Sequence, residues 1–545
     1  MPVTELAGTG ALVRLGLRRD RVLTPVWIAV FVVSAASSAG ATADLYPTTA
    51  SRVAAADSIN RSPALVGLYG RIYDPSSLGA VSIIKLGGFG ALMVALLSIV
   101  VVVRHTRRDE ESGRLELLGA TAVGRLAPLG AALVVAALMN LALGAATATG
   151  LRAAGLPLDG SLAFGAAWAG VGLAFAAVAA VCAQLTVSAR SAIGLASAVL
   201  GIVYAVRAVG DAAGANGPRW LSWLSPIGWA QQFRPYAGNR WWVLGITLAF
   251  TALVVAAAGM LAAGRDLGGG VLPERAGPAR APSGLRSPEA LALRLQRGVL
   301  LAWLVGFAAL GLLLGSIASS VGDILTSPAA RDFIRTLGGE QGLVDAFLAV
   351  ELTFAGIFAA AYGIQAASRL RSEEAALRAE PLLAAPVGRL RWVGSHVGVA
   401  LLGAALLLVT AGLTAGVARA AVTGDAGQAV RLVGAAAAQL PAVWVLVAVT
   451  LLLFGWTPRL TVGAWAVLVT FILIGEVGPL LDVGQWLLDL SPFSHVPRLP
   501  GGEFSAVPLL VLILVAGALG ALGLWGVRRR EALDMVIDWL RPRFP

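Results

Sequence analysis

Apolar residues run in blocks of roughly twenty, the length a helix needs to cross about 30 Å of hydrocarbon, and short intervening stretches hold most of the charge. Blocks fall near 23–43, 84–103, 128–150, 162–187, 191–209 and 242–264. A second set falls near 299–320, 344–367, 392–418, 432–456, 460–481 and 505–527. The pattern predicts an all-α polytopic membrane protein with twelve transmembrane helices in two sets of six. An even number of spans per half returns the chain to its starting side, so the halves are direct repeats of one sense.

The polar stretches repeat as well. RRDEESGRLELLGATAVGRL at 107–126 returns 264 residues later as RSEEAALRAEPLLAAPVGRL at 371–390. Leu15, Leu17, Arg18, Arg21 and Trp27 recur as Leu291, Leu293, Arg294, Arg297 and Trp303. Arg14, Arg18 and Arg21 fall on one helical face just before a span, the pattern of an amphipathic helix in the headgroup layer; positive-inside flanking charge explains the arginines as well, but not the repeated spacing. Trp220-Leu221 and Leu224-Ser225-Pro226 recur as Trp486-Leu487 and Leu490-Ser491-Pro492, a segment that resembles the polar stretch outside the fifth span of type-2 ATP-binding-cassette exporter permeases, which implies a short hairpin re-entering the outer leaflet, buried in protein. The first span ends in small residues like a signal peptide, but its counterpart beginning near Val299 lies in mid-chain, so both read as retained helices. The predicted division is 1–264, a Pro/Gly/Ala/Arg-rich linker at 265–289 with Pro273, Pro278, Pro282 and Pro288, and 290–545.

Composition narrows the function classes. The chain is 58% hydrophobic and 13% charged, with a mean hydropathy of +0.81 and a net charge of +11. Most arginines, among them Arg14, Arg18, Arg19 and Arg21, the clusters at 104–125 and 369–391, and Arg528 to Arg530, Arg541 and Arg543, fall on one side if the spans are threaded in order. That side is cytoplasmic by the positive-inside rule, which places both termini there and makes nucleic acid an unnecessary explanation of the charge. One cysteine, Cys182, and three dispersed histidines, His105, His396 and His495, offer no disulfide and no metal-ligand spacing. The single lysine, Lys85, lies at the start of an apolar span and follows no glycine-rich turn, so no phosphate-binding loop is present.

In each charged loop a glutamate precedes an arginine by four residues, Glu110 with Arg114 and Glu374 with Arg378, which predicts a short helix closed by that pair. Leucines follow. Two readings fit these residues: a docking surface for another protein, with leucines presented beside charges, or a membrane-surface helix inherited twice.

These loops resemble those of type-2 ATP-binding-cassette exporter permeases, where a charged run ending in Glu-x-Gly-x-x-Glu-x-Leu-Leu precedes a Thr-Pro-Val-like turn and a basic residue. The matching residues are Glu111, Gly113, Glu116, Leu117 and Leu118 with Thr121, Ala122, Val123 and Arg125, then Glu380, Leu382 and Leu383 with Pro386, Val387 and Arg389. Ala122 departs from the family's proline, and Ala376 and Leu377 replace its glycine region. The resemblance covers nearly the whole chain and is nearest to fused double-length exporters of polyketide antibiotics and other drugs.

It implies the type-2 exporter fold, with the two loops as coupling helices. The implied docking residues are Glu110, Glu111, Arg114, Glu116, Leu117 and Leu118, and Glu374, Arg378, Glu380, Leu382 and Leu383. It implies two copies of a separate ATPase subunit, which would hold ATP and magnesium, and no cofactor or catalytic residue in this chain. It places the substrate path on the second and fifth spans of each half, where Phe89, Met93, Tyr204, Phe354, Phe358, Trp465 and Phe471 would suit hydrophobic drugs. Lys85 and Glu351, ionisable residues at matching positions of the second and eighth spans, either face each other across that path or snorkel separately to the headgroups. Asn140, Gln184 and Gln439, at membrane depth, read as interhelical hydrogen-bond partners. Two other classes compete: an ion-coupled secondary carrier, whose Gly/Asp-Arg signature after the second span is missing, and a membrane enzyme, for which Asp109, Glu110 and Glu111 are the nearest carboxylates.

Overall fold

Apolar blocks of this length fold as helices because hydrocarbon offers no water, and each backbone N–H and C=O must find its partner within the segment. In the computed structural model, eleven helices among the described residues are long and apolar enough to cross a bilayer, and no strand occurs. The structure describes residues 3–119, 122–213, 217–266, 268–272, 280–282, 284–318, 339–477 and 484–540. The predicted twelfth span, near 460–481, is a fifteen-residue helix, Gly463–Val477, up to the edge of the described residues. Thr121, Pro273, Pro278, Arg541 and Arg543 lie outside the described residues, as does the side chain of Leu118.

Contacts divide the chain into two units, Met1–Gly277 and Pro278–Pro545. In the first, α1 (Thr9–Arg19) exposes Arg14 and Arg18 and turns into α2 (Leu23–Leu45). Three short helices follow that the apolar pattern did not announce: α3 (Thr49–Arg61), α4 (Pro63–Tyr69) and α5 (Leu78–Ser82). Their signals were caps, since the Thr48 hydroxyl accepts from the Ser51 N–H, and the Ser62 hydroxyl accepts from Leu65 ahead of Pro63. A π-turn at Leu86–Gly90 opens α6 (Ala91–His105), followed by α7 (Arg107–Glu111), α8 (Arg114–Gly119), α9 (Ala127–Ala153), α10 (Leu158–Leu185) and α11 (Ala189–Ala212). The hairpin contributes a 3₁₀ turn and α12 (Pro226–Gln232) before α13 (Trp242–Gly264). The second unit holds α14 (Pro288–Ile317), α15 (Gly339–Ala367), α16 (Arg369–Ala375), α17 (Glu380–Leu383), α18 (Arg389–Thr423), α19 (Gly427–Ala437), α20 (Leu440–Trp456), α21 (Gly463–Val477), α22 (Gln485–Leu488) and α23 (Ala506–Leu540).

Each unit is wired alike. The fourth span, α10 or α19 with α20, is the hub and packs on the second, third, fifth and sixth spans of its own half. With no hydrophobic force between helices in lipid, close backbone approach through small residues supplies the attraction. A methyl group on Gly165 would stand 2.2 Å from the Gly144 carbonyl oxygen, and methyls on Gly311 and Gly315 would each stand 2.3 Å from a carbonyl oxygen of α18. Two of the polar residues at membrane depth bond between helices: Asn140 Nδ2 donates to Ser98 Oγ at 3.0 Å, and Gln439 Nε2 to Thr353 Oγ1 at 3.4 Å, while the Gln439 Oε1 has no partner and Gln184 donates within α10 to the Ala180 carbonyl. The units differ at their entry. In the first, buried Asp20 ends α1 and separates it from α2, whereas in the second the basic stretch runs into the span as the single helix α14.

Candidate functional site

The charged loop of the first unit is built on arginine 107. Its guanidinium is buried between helix ends, where an unpaired cation would cost several kcal/mol, about what desolvating one ion takes, and each of its three nitrogens donates a hydrogen bond. Arg107 Nε and Nη2 donate to the Ala183 carbonyl at the end of α10, and Nη1 donates to Glu110 at 2.6 Å and to the Gly269 carbonyl at 2.9 Å. Glu110 is in turn gripped by Arg265, the first residue after α13, whose Nε also reaches Gln184 Oε1 at 2.7 Å. The loop is thus clamped to the ends of the fourth and sixth spans. Glu111 accepts from the Ala189 N–H at 2.7 Å, placing a carboxylate at the positive end of α11.

Two expectations are corrected here. Glu110 does not pair with Arg114, because Gly113, at φ +70°, breaks the predicted helix in two, and Arg114 turns to Asp109 at 3.2 Å. The linker does not begin at 265 either, since Val271 and Leu272 donate to the carbonyls of Gln184 and Leu185 and are thereby held at the end of α10. Asp109 also binds Arg19 of α1 at 2.7 Å, and buried Asp20 meets Arg104 at 3.0 Å and His105 Nε2 at 2.5 Å. The amphipathic helix is therefore pinned to the charged loop.

The second unit repeats the plan with other partners. Glu374 pairs with Arg530 of α23, which also donates to the Phe454 carbonyl at the end of α20, so again the loop is tied to the fourth and sixth spans. Arg378 lies 4.0 Å from Glu373 rather than pairing with Glu374, and Glu373 is held by Arg369 at 2.6 Å. Leu377, aligned with Gly113, takes the same left-handed backbone at φ +56°. The turn is thus common to both loops although only one has the glycine that makes it easy.

What faces outward from these clamps is small. Arg114, Glu116 and Leu117 are exposed in the first loop, and Leu377, Arg378 and Glu380 in the second. Leu382 and Leu383 are half-buried and pack on a cluster that includes Leu370, Trp392 and Phe454. Sequence reasoning gave no part in holding the loops to Asp109, Arg265, Glu373 and Arg530; their only signal for it was recurrence at spacings near 264.

The proposed path residues separate into two kinds. Lys85, Phe89, Phe358 and Trp465 are exposed, whereas Met93, Phe354 and Phe471 are partly buried against the cores of their own units. Tyr204 is committed within the first unit: its hydroxyl donates to the Leu68 carbonyl at 2.6 Å, and Arg207 stacks on its ring at 4.4 Å. Glu351 is half-buried in α15.

Comparison with known proteins identifies the family. The family model described as "Multidrug efflux system permease Rv1217c, C-terminal domain" matches residues 11–263 and 285–528, one stretch in each unit. The multidrug efflux system permease protein Rv1217c of Mycobacterium tuberculosis is 48% identical over 527 residues, covering 96% of this chain and 95% of that protein. The chain is therefore a multi-pass membrane protein that belongs to the multidrug efflux permease family of Rv1217c.

Proposed function

We propose that this chain is the membrane-spanning permease of an ATP-driven drug exporter, powered by two copies of a separate ATPase subunit that hold ATP and magnesium. The observation that carries the reading is the repeated clamp: Glu110 on Arg265 and Glu374 on Arg530 tie each charged loop to the last span of its own half. A push on such a loop moves helices instead of bending a linker. One ATPase would dock on Arg114, Glu116 and Leu117, the other on Leu377, Arg378 and Glu380, with both loops and both termini on the cytoplasmic side.

Closure of the ATPase pair on nucleotide would then shift the two halves and expose a central path to the other side. Driving such an equilibrium from one extreme to the other takes about 5.5 kcal/mol of differential nucleotide affinity. The exposed faces bearing Lys85 and Phe89 in one half and Phe358 and Trp465 in the other suit a hydrophobic drug, with Glu351 at a position matching Lys85. The test is uptake of a hydrophobic dye into inverted vesicles carrying this chain with and without the ATPase subunit of its efflux system. ATP-dependent uptake that needs both chains supports the exporter. Uptake by this chain alone, driven by an ion gradient and indifferent to ATP, would replace it with a secondary carrier.

A further inference from the structure

The end of the first unit remote from the clamp carries charge of a different balance. There α4, α5, the π-turn opening α6, the middle of α10 and residues 230–237 enclose a cavity of about 50 Å³. That is room for a few waters or one carboxylate-sized group. One wall is apolar and aromatic, with Ile83, Phe164 and Trp168, and the other carries Arg71 and Arg234.

Neither arginine has a carboxylate within salt-bridge distance among the described residues. The Arg234 guanidinium lies 4.0 Å over the Tyr73 ring, and its buried Nε has no hydrogen-bond partner. Arg71 and Arg234 both lie within Coulomb range of the Tyr73 phenol, whose pKa burial pushes above its ordinary value, with Asp211 adding to the rise and the two arginines opposing it. Arg71 is exposed and Arg234 half-buried, and the nearby acids are bonded to other groups, with Asp211 also within Coulomb range of Arg71. Asp211 is held by Arg207 at 3.2 Å and by Ser222, Asp74 accepts from Ser76 in its own turn, and Asp159 accepts from Asn239.

The position of Arg234 is enforced. Arg234, Tyr236 and Asn239 all have positive φ, at 54°, 60° and 33°, a conformation that asparagine tolerates and that strains arginine and tyrosine. The strain is held by Tyr236, whose ring occupies the space over Gly79 and Gly160, leaving no room for a methyl on either, and whose hydroxyl meets Ser161 Oγ at 2.8 Å. A chain that strains its backbone to bring an unpaired guanidinium to a cavity wall is holding a charge ready for something absent from its own residues.

We propose that this cavity takes the anionic group of an amphiphile, the charge held between Arg71 and Arg234 and the apolar body remaining outside the cavity. The source is an acidic exported compound, which rests on the exporter reading, or an anionic phospholipid, which does not. A carboxylate exchanging water for two guanidinium donors gains a charge-assisted contact that the neutral ester lacks.

The experiment uses the full chain in phosphatidylcholine nanodiscs and two fluorescent probes, dansyl-undecanoic acid and its methyl ester. The acid is expected to bind about tenfold more tightly than the ester, the factor that 1.4 kcal/mol confers. Arg71→Gln with Arg234→Gln is expected to abolish that preference while leaving ester affinity unchanged, which also reports an intact fold; Arg71→Lys with Arg234→Lys is expected to keep most of it. Equal binding of acid and ester by the wild type, or a preference that survives the glutamine pair, would overturn the proposal. Repeating the titration with part of the lipid replaced by phosphatidylglycerol separates the sources. Loss of acid binding assigns the site to lipid headgroups, and its persistence assigns it to a soluble acid. No ATP or partner enters the assay, so failure of the exporter reading leaves this result standing.

Discussion

The two charged loops share a plan and differ in how much water reaches it. In the first, the Arg107 and Glu110 side chains are 0% and 7% exposed and meet at 2.6 Å; in the second, Arg371 and Glu374 are 36% and 28% exposed and lie 3.9 Å apart. Coulomb attraction at a given distance grows severalfold as the surrounding dielectric falls, and an exposed pair is worth about 0–1 kcal/mol. Duplication therefore preserved the topology of the clamp while the halves diverged in its strength. The first loop is also anchored to α1 through Arg19 and to α11 through Glu111, connections not found among the described residues of the second. The first loop is therefore expected to be the more rigid of the two.

The largest effect, and the largest difference between the halves, should come from removing the acid at the centre of the first clamp. Glu110→Ala leaves Arg107 and Arg265 without their shared carboxylate and is expected to cost about 3–5 kcal/mol, the range for breaking a buried pair. Glu374→Ala should cost about 1 kcal/mol or less. Hydrogen exchange of residues 107–119 and 371–383 in each variant reads the two clamps separately, and equal losses of protection would break the comparison.

A middle effect is expected from the arginines on the last spans. Arg265→Ala should cost about 2–3 kcal/mol, as for hydrogen bonds to charged groups, and more than Arg530→Ala, whose side chain is more exposed. Thermal unfolding in detergent checks the order.

The smallest effects should sharpen the comparison at the shared turn. Gly113→Ala is expected to lose about 1 kcal/mol because a Cβ is strained at φ +70°, and Leu377→Gly to gain a similar amount by relieving φ +56°. If Leu377→Gly destabilises the loop, its side chain contributes packing that the turn strain conceals.

Much of this architecture was legible in the sequence, and what was hidden has a common cause. Block length and order gave the spans, and recurrence at 264 gave the duplication and the loops, because hydrocarbon thickness and descent from one unit both leave periodic marks. Local spacing could not choose the partners of the acids. Glu110 lies four residues before Arg114, yet it is bound by an arginine 155 residues away, and Glu374 by one 156 residues away. A one-dimensional rule for helical pairs fails wherever the helix breaks, and the break at Leu377 carries no glycine to announce it. The helices of the 46–82 segment were passed over because their evidence lies in caps rather than in hydrophobicity. The anion-ready cavity depends on residues 71 and 234, which only the folded first unit brings together.

The most direct test of the account is the native mass of the complex purified with the ATPase subunit of the efflux system. The account predicts two ATPase copies per chain in the wild type, one after Glu116→Arg or Glu380→Arg alone, and none after both. A wild-type chain that carries no ATPase, or a double variant that still carries two, would contradict it.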